Sequence, residues 1–127
     1  MLKHDKFVVC VVDPESAIAE GLSILFETYG IEVLSYPDAE SFLEAMPLVR
    51  NSRCCLIIEA SLPGISAPAL LQQLHDEFAD LWVVLLISTS SPQLLKAAQS
   101  SQQISVIEKP CTNGRLVEKV LEVRQRA

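Results

Sequence analysis

The sequence predicts an α/β protein in which helices cover both faces of a five-stranded parallel sheet. Short apolar runs alternate with longer amphipathic stretches along the 127-residue chain. Most of the short runs are continuously apolar, which is typical of parallel strands that are buried on both faces. Because crossover connections between parallel strands are right-handed, few topologies remain. We therefore expect a three-layer α/β sandwich with five strands and five helices.

Each predicted strand is a short run rich in β-branched and other apolar residues. In chain order, the five runs lie at residues 7–12, 32–36, 54–58, 82–87 and 105–107. The second run alternates between apolar and polar residues. In the third run Cys54 and Cys55 are adjacent, so their side chains should point to opposite faces of the sheet.

Each predicted helix carries apolar residues three or four positions apart. The five stretches lie at residues 15–28, 38–46, 66–78, 91–100 and from about 112 onwards. Gly30 is expected to end the first helix, Asp38 to cap the second, and Thr112 or Asn113 to cap the last. The residues expected to face the core are Ile18, Leu22, Leu25 and Phe26 in the first helix, Phe42 and Leu43 in the second, Leu70, Leu71, Leu74 and Phe78 in the third, and Leu116, Val117, Val120 and Leu121 in the last.

Composition narrows the classes of function. The net charge of -6 argues against direct binding to nucleic acid, which needs a basic surface. Arg124 and Arg126 lie together near the C-terminus, where a short charged segment is usually solvated. No run of about 18 apolar residues is present, so no membrane span is expected. The N-terminus lacks a signal-peptide cleavage site, which favours a cytoplasmic location.

The cysteines and histidines do not predict a metal site. The chain has four cysteines, and neither a Cys-x-x-Cys pair nor a Cys/His cluster occurs. Free cysteines behave as small apolar residues, so we expect inert buried thiols.

Four polar side chains close four different apolar strands. These are Asp13, Glu59, Ser88 and Lys109. Sites in open parallel sheets form at the carboxyl ends of the strands, so two acids, a hydroxyl and an ammonium should gather at one edge. Each also has a simpler alternative. Asp13 could cap the first helix, and Glu59 could be a solvated strand end. Ser88 could be an ordinary loop hydroxyl, and Lys109 could be a surface lysine.

Four motifs carry a family resemblance. They read VVDPES, LIIEASLPGIS, LLISTSS and VIEKP, and they occur in that order. With them, the chain resembles the receiver domain of bacterial two-component response regulators over roughly residues 7–122. The resemblance implies one receiver domain over residues 1–127 and the flavodoxin-like sheet order 2-1-3-4-5. It also implies a cis peptide bond before Pro110.

The resemblance implies phosphoryl transfer onto an Asp at the end of the third strand. Mg²⁺ is then held with the help of two acids after the first strand, and a hydroxyl and a lysine bind the phosphoryl oxygens. Carried over by position, Lys109 matches the lysine, Ser88 is an accepted hydroxyl at the switch position, and Asp13 matches the first acid.

This sequence departs from the family pattern at four positions. Pro14 replaces the second acid, and Glu59 replaces the phosphoacceptor Asp. Thr89 stands where the family usually has a small residue beside the phosphoryl group. Val106 occupies the position of the aromatic residue whose rotation is coupled to phosphorylation in the family. The first three departures weaken the usual phosphorylation chemistry, and the fourth removes the aromatic rotation that is coupled to phosphorylation.

We therefore expect an atypical receiver that is not phosphorylated in the usual way and is not an enzyme. Glu59 should extend towards Lys109, and Asp13 should bind Mg²⁺ weakly or not at all. Expected partners are a histidine kinase or another signalling protein. A homodimer could form through the predicted helix at 91–100, the fifth strand and the last helix.

Three alternatives remain open at this point. The chain could be a receiver that still binds Mg²⁺ and accepts phosphate. It could be an enzyme such as a phosphatase. It could also be a flavodoxin-like FMN-binding module, although the segment DPESA after the first strand is acidic and suits a phosphate poorly.

Overall fold

A parallel sheet of five strands forms the centre of the molecule. In the computed structural model, the described residues are 7–49, 53–60, 67–77, 81–87, 96 and 103–126. The sheet has the order β2-β1-β3-β4-β5, as predicted. Its strands are β1 (Phe7–Val12), β2 (Glu32–Tyr36), β3 (Arg53–Glu59), β4 (Trp82–Ile87) and β5 (Ile104–Glu108).

Helices lie on both faces of this sheet, which confirms the predicted fold class. They are α1 (Ser16–Glu27), α2 (Ala39–Val49), α3 (Ala67–Glu77) and α4 (Asn113–Arg126). The further helix predicted at 91–100 lies outside the described residues, except for Lys96, which is helical and exposed.

Several element ends differ from the prediction. Helix α2 continues through Pro47 to Val49 instead of ending at Met46. Proline removes one backbone donor, and this loss in the final turn does not end the helix. Strand β3 is longer than predicted because Arg53 pairs with Phe7 and Glu59 pairs with Leu86. Strand β5 is longer because its end residues, Ile104 and Glu108, also pair with β4.

Two apolar cores lie on the two sides of the sheet. Cys54 belongs to the core beneath α2 and α3. Cys55 belongs to the core beneath α1 and α4. This confirms that the two cysteines point to opposite faces, because successive side chains alternate along a strand.

Helix α1 buries two of the four residues predicted to face the core, Leu22 and Phe26. Ala19, Leu22 and Phe26 are buried against the sheet, whereas Ile18 and Leu25 are each 38% exposed. The last two are seven residues apart and so share one stripe of the helix, at the margin of the buried face. In α4, likewise, Val123 is buried and Leu121 is only partly buried.

The predicted helix caps are largely present. Gly30 has a φ of 70°, a conformation that glycine adopts without steric cost, and it follows the end of α1. Asp38 Oδ1 accepts a hydrogen bond from the Ser41 N–H at 2.8 Å, which holds the pKa of Asp38 below its ordinary value. Thr112 Oγ1 accepts from the Arg115 N–H at 3.0 Å, so Thr112 caps α4.

Candidate functional site

Backbone pairing brings three of the predicted site residues to the carboxyl edge of the sheet. Val12 of β1 pairs with Ile58 of β3, so Asp13 and Glu59 follow at the same level. On the other side, the Lys109 N–H donates to the Ile87 carbonyl at 2.7 Å, which extends the β4–β5 ladder to the lysine.

Glu59 and Lys109 are in direct contact. The Lys109 Nζ donates to Glu59 Oε1, forming an ion pair between the ends of two strands that are not neighbours in the sheet. The Glu59 side chain is 22% exposed and that of Lys109 is 39% exposed. At this level of exposure an ion pair contributes little net stability, typically about 0–1 kcal/mol.

Asp13 is partly buried and uses one carboxylate oxygen locally. Its Oδ1 accepts a hydrogen bond from the Glu15 N–H at 2.7 Å. An aspartate that accepts from the residue two positions ahead forms an Asx turn. The N-cap of α1 is Glu15, which makes no side-chain capping bond, so the alternative assignment of Asp13 as the cap is wrong.

The carboxylates at this edge do not fit a Mg²⁺ site. Mg²⁺ takes oxygen ligands in near-octahedral geometry, usually including a carboxylate or two. Here Pro14 has no side-chain oxygen, Asp13 accepts from a backbone N–H, and Glu59 is bonded to an ammonium. Across the described ranges, no group of three or more His, Cys, Asp or Glu side chains could hold a metal ion.

The structure says less about the other positions that the family resemblance singled out. Ser88 and Thr89 lie outside the described residues. Val106 is partly buried and packs against the core beneath α2 and α3. The peptide bond between Lys109 and Pro110 is cis, as the resemblance implied.

Residue spacing alone did not predict one polar contact in the core. The Sγ atoms of Cys10 and Cys54 lie 3.3 Å apart in the core beneath α2 and α3. The hydrogen bond with Cys10, together with burial, raises the pKa of the Cys54 thiol well above its ordinary value. Burial also raises the pKa of Cys55. Cys111 is only partly buried, so the expectation of four buried thiols is wrong at that position.

Comparison with protein families identifies the kind of domain to which this site belongs. The family model of the response regulator receiver domain matches residues 9–121. The chain belongs to this family. It is therefore a receiver domain of two-component signalling, a class that interacts with histidine kinases and other signalling proteins. Among the described residues, no helix of this receiver is long and apolar enough to cross a membrane.

Two transcriptional regulators illustrate the sequence similarity of this receiver. It is 29% identical over 110 residues to the transcriptional regulatory protein FixJ of Azorhizobium caulinodans, which covers 86% of this chain and 51% of that protein. It is 27% identical over 114 residues to the C4-dicarboxylate transport transcriptional regulatory protein DctR of Rhodobacter capsulatus, covering 88% and 57%. The receiver thus spans about half the length of these curated relatives.

Solved structures share its fold. The crystal structure of FixJ-N matches with a TM-score of 0.77 at 23% identity, covering 97% of both chains. A response regulator receiver domain protein from Clostridium thermocellum matches with a TM-score of 0.80 at 21% identity, covering 95% of both.

Proposed function

We propose that this receiver acts in two-component signalling through protein contacts, without conventional phosphorylation. The observation that carries the proposal is the ion pair between Glu59 and Lys109. A residue at the acceptor position and the lysine that the family uses for the phosphoryl group are bonded to each other.

The ion pair opposes phosphoryl transfer in two ways. The Lys109 ammonium stabilises the negative charge of the Glu59 carboxylate, which makes the carboxylate a poorer nucleophile. The Lys109 ammonium is also already engaged, whereas its family role is to neutralise charge on the transferred group. Both groups would have to separate before the chemistry could begin.

The length of the Glu59 side chain adds a geometric obstacle. Glutamate has one methylene more than aspartate, so its carboxylate lies roughly 1–1.5 Å further along the side chain, and a misplacement of that size can cost about 10²-fold in rate. With Pro14 beside Asp13, the acids needed to place Mg²⁺ next to the acceptor are also incomplete.

A charged contact held in this way gives the receiver a fixed signalling state. The Glu59 carboxylate binds the Lys109 ammonium in the way that a phosphoryl oxygen would, so no kinase reaction is needed for this contact. Residues 1–127 then form a single non-enzymatic module whose output depends on which proteins it contacts. A homodimer through β5, α4 and the segment 91–100 is one such contact. The family match favours this function over the FMN-binding alternative.

The test is incubation with acetyl phosphate and Mg²⁺, followed at once by intact-mass measurement. We expect no added phosphoryl group, while a receiver with Asp at the acceptor position is labelled in parallel. The Glu59→Gln variant is the matched control for labelling elsewhere. A phosphoryl adduct that forms on the natural chain and is lost in Glu59→Gln would refute the proposal and support the phosphorylation-competent alternative.

A further inference from the structure

Three arginines gather at the edge of the sheet opposite to Glu59. Arg53 is the first residue of β3 and pairs with Phe7, the first residue of β1. The last turn of α4, which packs against β3 and β4, brings Arg124 and Arg126 to the same edge. We call Arg53, Arg124 and Arg126 the arginine cluster.

Aromatic rings and backbone carbonyls hold the cluster in place. The Arg53 guanidinium lies over the Phe7 ring at 5.6 Å, and that of Arg126 lies over the Trp82 ring at 5.8 Å. Arg53 Nη2 donates to the Arg124 carbonyl at 3.5 Å. A guanidinium stacked on a ring keeps its N–H donors in its own plane, and the donors that stay exposed on the partly exposed Arg53 and the exposed Arg126 can bind a carboxylate.

The positive charge of the cluster is only weakly balanced within the part of the chain that the structure describes. None of the three arginines forms an ion pair with a carboxylate there. Glu122 lies on the same helix, but its carboxylate is bonded to Lys119 at 3.0 Å, and that bond is the main cause of its lowered pKa, with Arg126 a weaker influence. The cluster is thus a local positive surface on a chain of net charge -6.

Helix electrostatics explain only part of this arrangement. Cations in the last turn of a helix complement its dipole, which accounts for Arg124 and Arg126. Arg124 Nη1 also donates to the Tyr29 carbonyl at 3.2 Å. Arg53 begins a strand, however, and its Nε is buried with no hydrogen-bond partner among the described residues. A buried donor without a partner is costly, so helix electrostatics do not account for the placement of Arg53.

The net negative charge of the chain favours an acidic peptide over nucleic acid as the ligand of the arginine cluster. Nucleic acid carries dense negative charge along its length, so an acidic protein would repel it outside the small cluster. A short stretch of Asp and Glu side chains needs only local contacts. We propose that the arginine cluster binds an acidic segment of a partner protein, through carboxylates that engage Arg53 and Arg126.

The test uses labelled oligoglutamate and oligoglutamine peptides, titrated against the purified chain at low ionic strength. We expect binding of oligoglutamate only, weakened by salt. Trp82 is the only tryptophan and lies beneath Arg126, so its fluorescence should change on binding. Arg126→Gln and Arg53→Gln should each weaken binding about tenfold, as loss of a charged hydrogen bond does.

Arg115→Gln is the matched control, because Arg115 is an exposed arginine in the first turn of α4, next to Glu118. It should bind oligoglutamate like the natural chain. Arg126→Gln alters an exposed residue, so it tests the proposal even if Arg53→Gln fails to fold. Equal binding of the two peptides, equal losses in Arg126→Gln and Arg115→Gln, or stronger binding of a DNA duplex than of oligoglutamate would overturn the proposal.

Discussion

The Lys109 ammonium donates to the Glu59 carboxylate past the end of β4, the strand that separates them in the sheet. The contact therefore joins strands that make no backbone hydrogen bonds with each other. Both side chains are long, and the Glu59 carboxylate is one methylene further from the backbone than that of an aspartate would be.

We expect this ion pair to contribute little to folding stability. Glu59→Gln, Lys109→Met and the double variant form a double-mutant cycle, measured by urea unfolding. The coupling free energy should be below about 1 kcal/mol, because both side chains are partly exposed. A coupling of about 3 kcal/mol or more would instead place the pair among strongly coupled buried pairs.

Restoring the two acids should restore phosphorylation. The double variant Pro14→Asp/Glu59→Asp should gain a phosphoryl group from acetyl phosphate, because it regains both a second metal ligand and a correctly placed nucleophile. Intact mass with Mg²⁺, and with Mg²⁺ removed by a chelator, provides the measurement. The single variant Glu59→Asp is the control and should label more slowly. If the double variant labels no faster than the natural chain, these two positions do not explain the expected loss of labelling.

The burial pattern of α1 predicts a large difference between two of its residues. Leu22 is 0% exposed and Ile24 is 68% exposed. Leu22→Ala should lower the free energy of unfolding by about 2–5 kcal/mol, through lost burial and the cavity left behind. Ile24→Ala should change it by less than about 0.5 kcal/mol. Comparable losses in the two variants, measured by urea unfolding, would contradict the orientation of this helix.

Thiol reactivity should distinguish Cys111 from the other cysteines. Cys54 and Cys55 are buried with raised pKa values, which keeps them as unreactive thiols, whereas Cys111 is partly exposed. A chromogenic disulfide reagent should modify Cys111 quickly in the native chain and all four cysteines in denaturant. Cys111→Ser should remove the fast phase; its persistence would show that a buried thiol is accessible.

Tyr36 should make folding stability depend on alkaline pH. Burial is the largest cause that raises its pKa from 10.0 to about 12 in the folded chain. The native state then holds the phenol proton more tightly than the unfolded state, so the free energy of unfolding should fall as pH rises from 10.0 to about 12. Tyr36→Phe should flatten this decline in urea unfolding. Tyr29→Phe, at an exposed position, is the control and should retain it.

Much of the fold could be predicted because the signals are local. Continuous apolar strands, helical spacing and capping residues gave the element order, and motifs at strand ends gave the family. The misplaced residues of α1 show the limit of this approach. Periodicity identifies an apolar side of a helix, but the burial of Ala19 and the partial exposure of Leu25 depend on how α1 packs against β2 and α4.

The contacts that were not predicted depend on strand register. Cys10 and Cys54 are separated by 44 positions, and their approach follows from the pairing of β1 with β3. The arginine cluster likewise combines the start of a strand with the end of the last helix. Neither set of residues forms a local pattern that the sequence could reveal.

The central place of β3 has a consequence for native-state dynamics. This strand pairs with β1 and β4, and its two cysteines enter the two separate cores. No local fluctuation can expose its amides without disrupting both neighbours and both layers of side chains. Its amide hydrogens should therefore exchange with deuterium only when the whole molecule opens, and their protection reports the global stability of the receiver.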